Sequence, residues 1–425
     1  PIKFLRNFIG EKVAIPESLA SYVTKGRLVD MLDFSRTSFT KEFKTSVSSI
    51  ENFDSLYPLA KMGSLIVGTP QYGANEKAIE GNPQSDYRYI RITDINEDGT
   101  LNDDWKTAST VEQQYILQEG DILFARSGAT AGKAFYYKNT YGKALYAGYL
   151  IRFKFDKSKV LPLYVYNVLC SDVYKDWVNK TKGGTARQNI NSQQYCSFEL
   201  PLPPMDIQKK IVEECDKIDA LVTNSNENIQ KSNAEIESVL NSVTGKRQLL
   251  KGIVAFGNGR INYSEIKPES YISTDNMLQN YEGVVPYDGV PNVSNVVAYW
   301  KGDILLSNIR PYLKKLWLAD CNGGCSPDVL VLHNTQPLQV DTTFVYYSLR
   351  RQAFFDFIMS DIKGMKMPRG RKDTIERFEI VIPSLEVQKE VVEKLRKYDA
   401  EIANAKQQIA SAPSRKQAIL DKYLK

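Results

Sequence analysis

The chain has 425 residues, of which 42% are hydrophobic and 25% charged, and its net charge is only +5. That length leaves room for two to four domains with their own cores, and so balanced a charge excludes binding to nucleic acid by bulk excess, so any basic face must come from arrangement. No run of about 18 apolar residues and no secretory leader is read, and five scattered cysteines, Cys170, Cys196, Cys215, Cys321 and Cys325, point to reduced thiols in a cytoplasmic protein with no membrane span.

Residues 1–57 are assigned no role beyond a short helix within Val29–Phe43; the chain begins at Pro1, which leaves open a processed or longer parent. Residues 58–203 read as a mixed α/β domain. Tyr87–Asp94 and Tyr149–Phe155 alternate with period two, as half-buried strands do. Gly120–Lys133, GDILFARSGATAGK, reads as a strand followed by a loop of small residues. Ala134 follows Lys133, so the phosphate-loop spacing fails, and the loop suits a contact to a DNA phosphate or base edge better. Pro162–Val178 reads as one helix with Tyr164, Val168, Val173 and Trp177 toward the core.

The next stretch organises the chain. Phe198–Val222, FELPLPPMDIQKKIVEECDKIDALV, returns as Phe378–Ile402, FEIVIPSLEVQKEVVEKLRKYDAEI, at a constant offset of 378 − 198 = 180. Each copy is a proline-containing apolar run, which predicts an extended exit from a domain, followed by a heptad helix. In the first helix, residues 204–250, Cys215, Val222, Ile229, Ile236 and Val243 fall seven apart, interleaved with Ile211, Ile218 and Val239, with Ser225 and Ser232 as polar gaps. About 45 residues from Pro204 would span roughly 65 Å. The second helix, residues 383–425, keeps the phase with Leu395, Ile402 and Ile409, and Pro413 is expected to break or kink it.

Residues 251–382 read as a second, diverged copy of the mixed domain. Gly302–Leu306, GDILL, matches GDILF at an offset of 302 − 120 = 182, and Val340–Phe357 again reads as a helix. Basic residues collect just before each repeated FE: Lys180, Lys182 and Arg187 in the first domain, and Lys363, Lys366, Arg369, Arg371 and Lys372 in the second. The fold class is therefore α+β, a duplicated arrangement of domain, helix, domain, helix.

Absent chemistry is informative as well. No [DNS]-P-P-[YF] tetrapeptide or Walker motif occurs, and a single histidine, His333, excludes most histidine-based schemes. Cys321, Cys325 and His333 fall short of four zinc ligands, so no metal is assigned. The chain by itself is expected not to be an enzyme.

The repeated F-E-x-x-x-P and I/V-Q-K-x-V-E entrances, the GDIL strands and the run SNIRPYLKKLWLADCNGGCSPDVLV resemble the specificity subunit of Type I restriction-modification systems, over about residues 58–425. The resemblance implies two target-recognition domains separated by two long antiparallel coiled-coil helices about a pseudo-two-fold. Each domain would read one half of a bipartite, gapped double-stranded DNA target, and the unlike sequences of the domains make the half-sites unlike. The helices would set a gap measured against a DNA turn of about 34 Å. They would also dock two modification (methyltransferase) subunits, with restriction subunits further out. S-adenosylmethionine and ATP with Mg would be bound by those partners and not by this chain. The IKFLRNFIG start is similar to the tail of a modification subunit, so a fused restriction-modification polypeptide is one alternative; a coiled-coil scaffold with no DNA role is another.

The residues expected to contact DNA are Gln71, Tyr72, Arg91, Thr93, Arg126, Ser127, Lys133, Arg187, Gln188 and Asn189 in the first domain. In the second they are Tyr271, Asn276, Ser307, Asn308, Arg310, Lys314, Lys366, Arg369 and Arg371. Arginine and glutamine suit bidentate base contacts, whereas lysine mainly adds salt-sensitive affinity.

Overall fold

The computed structural model describes residues 53–96, 98–182, 189–289, 294–362 and 367–425. The described residues divide into two compact units, those from 53 to 218 with 413–425, and those from 219 to 412.

The first unit is built on an antiparallel four-stranded sheet in the order Gln71–Tyr72, Leu150–Phe153, Ile122–Ala125, Ala134–Tyr136. Both central strands are buried along their whole length. The reason is that alternate side chains feed different cores: Ile122, Phe124, Ile151 and Phe153 join Tyr164, Val168 and Tyr195 on one face, while Leu123, Ala125 and Leu150 join Ile90, Phe135 and Tyr146 on the other. A strand covered on both faces reads as a continuous apolar run, which is what GDILF is.

The second unit repeats this order with Val254–Phe256, Val329–Asn334, Ile304–Ser307 and Leu316–Leu318. Its faces divide in the same way, Ile304, Leu306, Leu330 and Leu332 on one side and Leu305, Val329 and Val331 on the other.

Several expectations change in detail. The strand within Tyr87–Asp94 is only Arg88–Ile90, because Arg91–Asp94 folds into a turn held by the Asp94 carboxylate. Pro162–Val178 is two helices, Pro162–Leu169 and Asp172–Lys182, interrupted where the buried Ser171 hydroxyl accepts from Tyr174 N–H. The same interruption recurs 180 residues later between Thr342–Leu349 and Gln352–Ser360. Each proline-containing exit is a strand and not merely extended: Glu199–Pro201 pairs with Leu59–Lys61, and Glu379–Ile382 with Lys246–Leu249.

Two long helices follow the exits, Met205–Ser242 and Leu385–Leu424. The first has 38 residues, about 57 Å, and is shorter than the sequence implies because Lys246–Leu249 is claimed by the sheet edge. The expected break at Pro413 does not occur, since one helix runs through it. Pro413 is exposed on this helix, where its ring is accommodated outside the packed face, while Ala412 and Leu420 are buried.

Within the second unit the helices carry a cross-strut that explains the two polar heptad positions. The buried Ser225 hydroxyl donates to Gln408 Oε1 at 2.9 Å and the buried Ser232 hydroxyl to Glu401 Oε2 at 2.8 Å. Seven residues forward on one helix is seven back on the other, so here the segments run antiparallel. In the first unit, Glu214 accepts from both Lys422 and Tyr423.

The repeated glutamine has one structural task performed twice. Gln208 Oε1 accepts from Leu161 N–H at 2.8 Å and its amide donates to Pro203 O at 2.9 Å. Gln388 Oε1 accepts from Asp341 N–H at 2.8 Å and its amide donates to Pro383 O at 3.0 Å. Both glutamines are buried, and each ties the start of its domain's helix pair to the start of a long helix.

Candidate nucleic-acid interface

In each unit three loops meet at one residue just past the GDIL strand. Arg126 N–H donates to Tyr149 O at 3.0 Å, and Ile190 N–H donates to Arg126 O at 2.8 Å. Asn308 N–H donates to Asp328 O at 2.8 Å, and Gly370 N–H donates to Asn308 O at 3.0 Å. The next residues pair across the same two loops, Ser127 with Asn189 and Ile309 with Arg369. These positions are equivalent by the repeat, since 126 + 182 = 308, 127 + 182 = 309 and 189 + 180 = 369. The loops converge because the central strand ends there in both units.

Onto this shared backbone the two units place different chemistry. In the first, the Arg126 guanidinium lies 5.0 Å from the Tyr72 ring centroid, and the Tyr72 hydroxyl is bonded at 3.3 Å to Ser192 Oγ. Tyr72 and Tyr149 are both exposed aromatics beside this arginine, and Arg126 Nε is buried with no hydrogen-bond partner among the described residues. A guanidinium stacked on a ring loses less freedom when it forms a planar bidentate contact. In the second unit, Arg369 Nη1 is 3.0 Å from Asp328 Oδ1, Arg371 pairs with Asp373, and Tyr312 and Met367 are exposed nearby in sequence. Asn308 Oδ1 is buried without a partner among the described residues. A Cβ on Gly370 would stand 3.0 Å from that oxygen, so the close approach favours glycine.

The second half of the GATAGK loop offers no phosphate cradle, because its N–H groups are spent internally: Ala131 to Gly128 O, Gly132 to Ala125 O and the Tyr195 hydroxyl, and Lys133 to Thr130 O. The second unit's loop is strained. Arg310 and Lys314 are left-handed at φ +50° and +52°, a conformation that costs an L-residue about 1 kcal/mol.

The description "Type I restriction modification DNA specificity domain" fits this chain twice, over residues 74–238 and 270–412. The chain belongs to the type I restriction-modification DNA specificity family. This specificity chain is 22% identical over 348 residues to the type I restriction enzyme MjaVIII specificity subunit of Methanocaldococcus jannaschii, covering 74% of this chain and 79% of that one. It is 24% identical over 154 residues to the EcoDI specificity subunit of Escherichia coli, covering 36% of this chain and 33% of the relative. The crystal structure of a type I system S subunit from M. genitalium shares its fold, with a TM-score of 0.51, 14% identity, and coverage of 88% of this chain and 98% of the other.

The remaining sequence-predicted residues of the specificity chain are placed as follows. Arg91 is bound by Asp94 and Asp104 at 2.6 and 2.9 Å, which raises its pKa above the ordinary arginine value, the Asp94 hydrogen bond contributing most. Thr93 bonds Asp94, and Gln71 accepts from the buried Arg152, so these three hold a turn and a sheet edge. Lys133 Nζ reaches Ile95 O at 3.4 Å. Tyr271 is buried between the rings of Tyr263 and Tyr287. Asn276 is buried, with its amide spent on Ser273 N–H, Tyr271 O and Val285 O. Ser307 is buried with its hydroxyl on Ile309 O. Arg187, Gln188 and Lys366 lie outside the described residues.

Tyr149 and Asp328, which complete the junctions, were not among the residues singled out from sequence. Both precede an apolar strand, and no periodicity separates an exposed aromatic or acid there from a turn residue. Among the described residues no three or more His, Cys, Asp or Glu side chains gather to hold a metal, and no helix is long and apolar enough to cross a membrane. His333 Nδ1 is paired with Asp303 at 2.7 Å.

Proposed function

We propose that the chain is the sequence-reading component of a type I restriction-modification complex, in which residues 58–203 and 251–382 each read one half of a bipartite, gapped double-stranded DNA target. The observation that carries this is the duplicated loop junction: one backbone arrangement, two unlike side-chain sets. Base readout requires the first to hold loops in place and the second to discriminate. Arg126 on Tyr72, with Ser127 and Asn189, is the core of one reader; Asn308, Arg310 and Lys314 form the core of the other, flanked by Arg369 and Arg371, whose exposed pairs with Asp328 and Asp373 are weak enough for DNA to displace. Arg91, Asn276 and Ser307 support the loops, because their polar groups are already engaged, and Tyr271 does so as a buried ring packed on Tyr263 and Tyr287.

In this reading the helices within residues 204–250 and 383–425 pair antiparallel as a coiled coil, set the gap about a pseudo-two-fold, and dock two modification subunits. The serine struts Ser225 and Ser232 favour it, since buried polar positions in a heptad seam fix register. Methyl transfer from S-adenosylmethionine and ATP-dependent cleavage then belong to the modification and restriction subunits. Residues 1–57 carry no part of this proposal.

The test is position-resolved methylation in cells making this chain with its modification partner. A gapped motif with two unlike halves is expected, and Arg126→Ala should relax one half only. Equal loss on every sequence would make Arg126 a phosphate contact, and salt-independent behaviour with no DNA binding would favour the scaffold alternative.

A further inference from the structure

The loop after the GDIL strand turns left-handed twice in each unit, and at the same two places. In the first unit these are Gly128 and Gly132, at φ +68° and +94°. Adding 182 gives Arg310 and Lys314, so the second unit puts two cationic side chains where the first puts glycine. Among the described residues the other non-glycine positive-φ positions are Asn280 and Tyr281, at +52° and +63°. They sit against this very loop: Asn280 N–H donates to Leu313 O and Tyr281 N–H to Lys314 O, both at 3.1 Å. All four strained residues therefore meet at one place. Strain gathered in this way persists only where the surroundings over-determine it.

Those surroundings are specific. The Tyr281 hydroxyl donates to Arg350 O, and the Arg350 guanidinium lies 5.1 Å from the Tyr281 ring centroid. Arg350 in turn bonds Asp399 on the long helix at 2.7 Å, and the Tyr347 hydroxyl donates to the same carboxylate at 2.6 Å. One heptad further along that helix, Lys406 pairs with Glu282 at 2.7 Å. The turn is thus held from both ends by the helix that also carries the spacer pattern.

We propose that the Asn280–Tyr281 turn, braced through Arg350 and Glu282 on Asp399 and Lys406, is a positioning element that holds Arg310 and Lys314 in the geometry that discriminates bases. The first unit needs no such brace at this loop, because glycine adopts the left-handed conformation without penalty. This rests on the reading of each unit as a half-site reader.

The experiment uses the full chain assembled with its modification subunits and a randomised duplex DNA library, from which bound sequences are selected and read. Asp399→Asn should cut discrimination about tenfold at one half-site and leave the other unchanged, the range over which coupled positions tune a distant site. Lys314→Gly should lose discrimination at that same half while raising the unfolding temperature, because strain is relieved. Glu282→Gln removes only an exposed pair and cannot unfold the unit; about a threefold loss at the same half is expected. Unchanged discrimination in Asp399→Asn and Glu282→Gln, or equal loss at both halves, overturns the brace. If the native chain selects no bipartite sequence, the half-site reading itself falls, and the brace with it.

Discussion

Gln388→Met isolates the physical role of the repeated helix entrance. Methionine keeps the length and roughly the volume of glutamine but removes a carbonyl and an amide at a position with 0% exposure. Three groups lose their partner: Asp341 N–H, and the carbonyls of Gln339 and Pro383. A buried N–H left unsatisfied costs about 2 kcal/mol, and two under-bonded carbonyls, each with a second lone pair, add about 1 together. The sum of about 3 kcal/mol corresponds to a drop of about 10 °C in the unfolding temperature of a unit this size. Asp341 also caps the helix Thr342–Leu349 by accepting from Phe344 N–H, so the loss should appear locally as faster amide exchange across that helix. Gln208→Met is the internal control. Its third bond, to Lys159 O, is 3.5 Å against 3.0 Å for the Gln339 bond, so it should cost somewhat less, and in the first unit. Calorimetry with hydrogen exchange separates the two. A cost below about 1 kcal/mol in both variants, or exchange spread evenly over both units, would refute the reasoning.

Two further outcomes follow from packing. Gly132→Ala places a Cβ 2.3 Å from Val178 Cγ1 at a left-handed φ and should cost at least about 2 kcal/mol, whereas Gly128→Ala, with nothing within 4 Å, should cost only about 1, as read by urea midpoints. Alkylation at pH 8 should modify the exposed Cys321 and Cys170 first and spare Cys325, whose thiol burial pushes up to about 12; mass mapping that found Cys325 first would contradict its burial.

The repeat and its helical phase were legible because heptad spacing and a fixed offset survive divergence. They follow from periodic burial, which each helix imposes on its own sequence. The GDIL strands were legible for a related reason: burial on both faces leaves no polar position. Less visible were the breaks at Ser171, where a local cap competes with an apolar pattern that runs straight on, and before Gln352, where Arg351 turns extended without a side-chain cap. Proline at 413 misled for the converse reason, since packing on both sides outweighs a local preference.

At the site, sequence alone determined which residue types were available and that they fell in two related sets. Only the tertiary structure decided their use. Arg91 and Arg126 look alike in sequence, yet one is bound by two carboxylates and the other lies stacked on Tyr72 with Nε unpartnered among the described residues. Tyr72 lies 126 − 72 = 54 residues from Arg126 and is brought to it by strand order, whereas the carboxylates on Arg91 are 3 and 13 residues on and reach it only because the chain turns there. A side chain's remaining capacity to bond a base is set by what the fold has already given it, and that is not written in its neighbours along the chain.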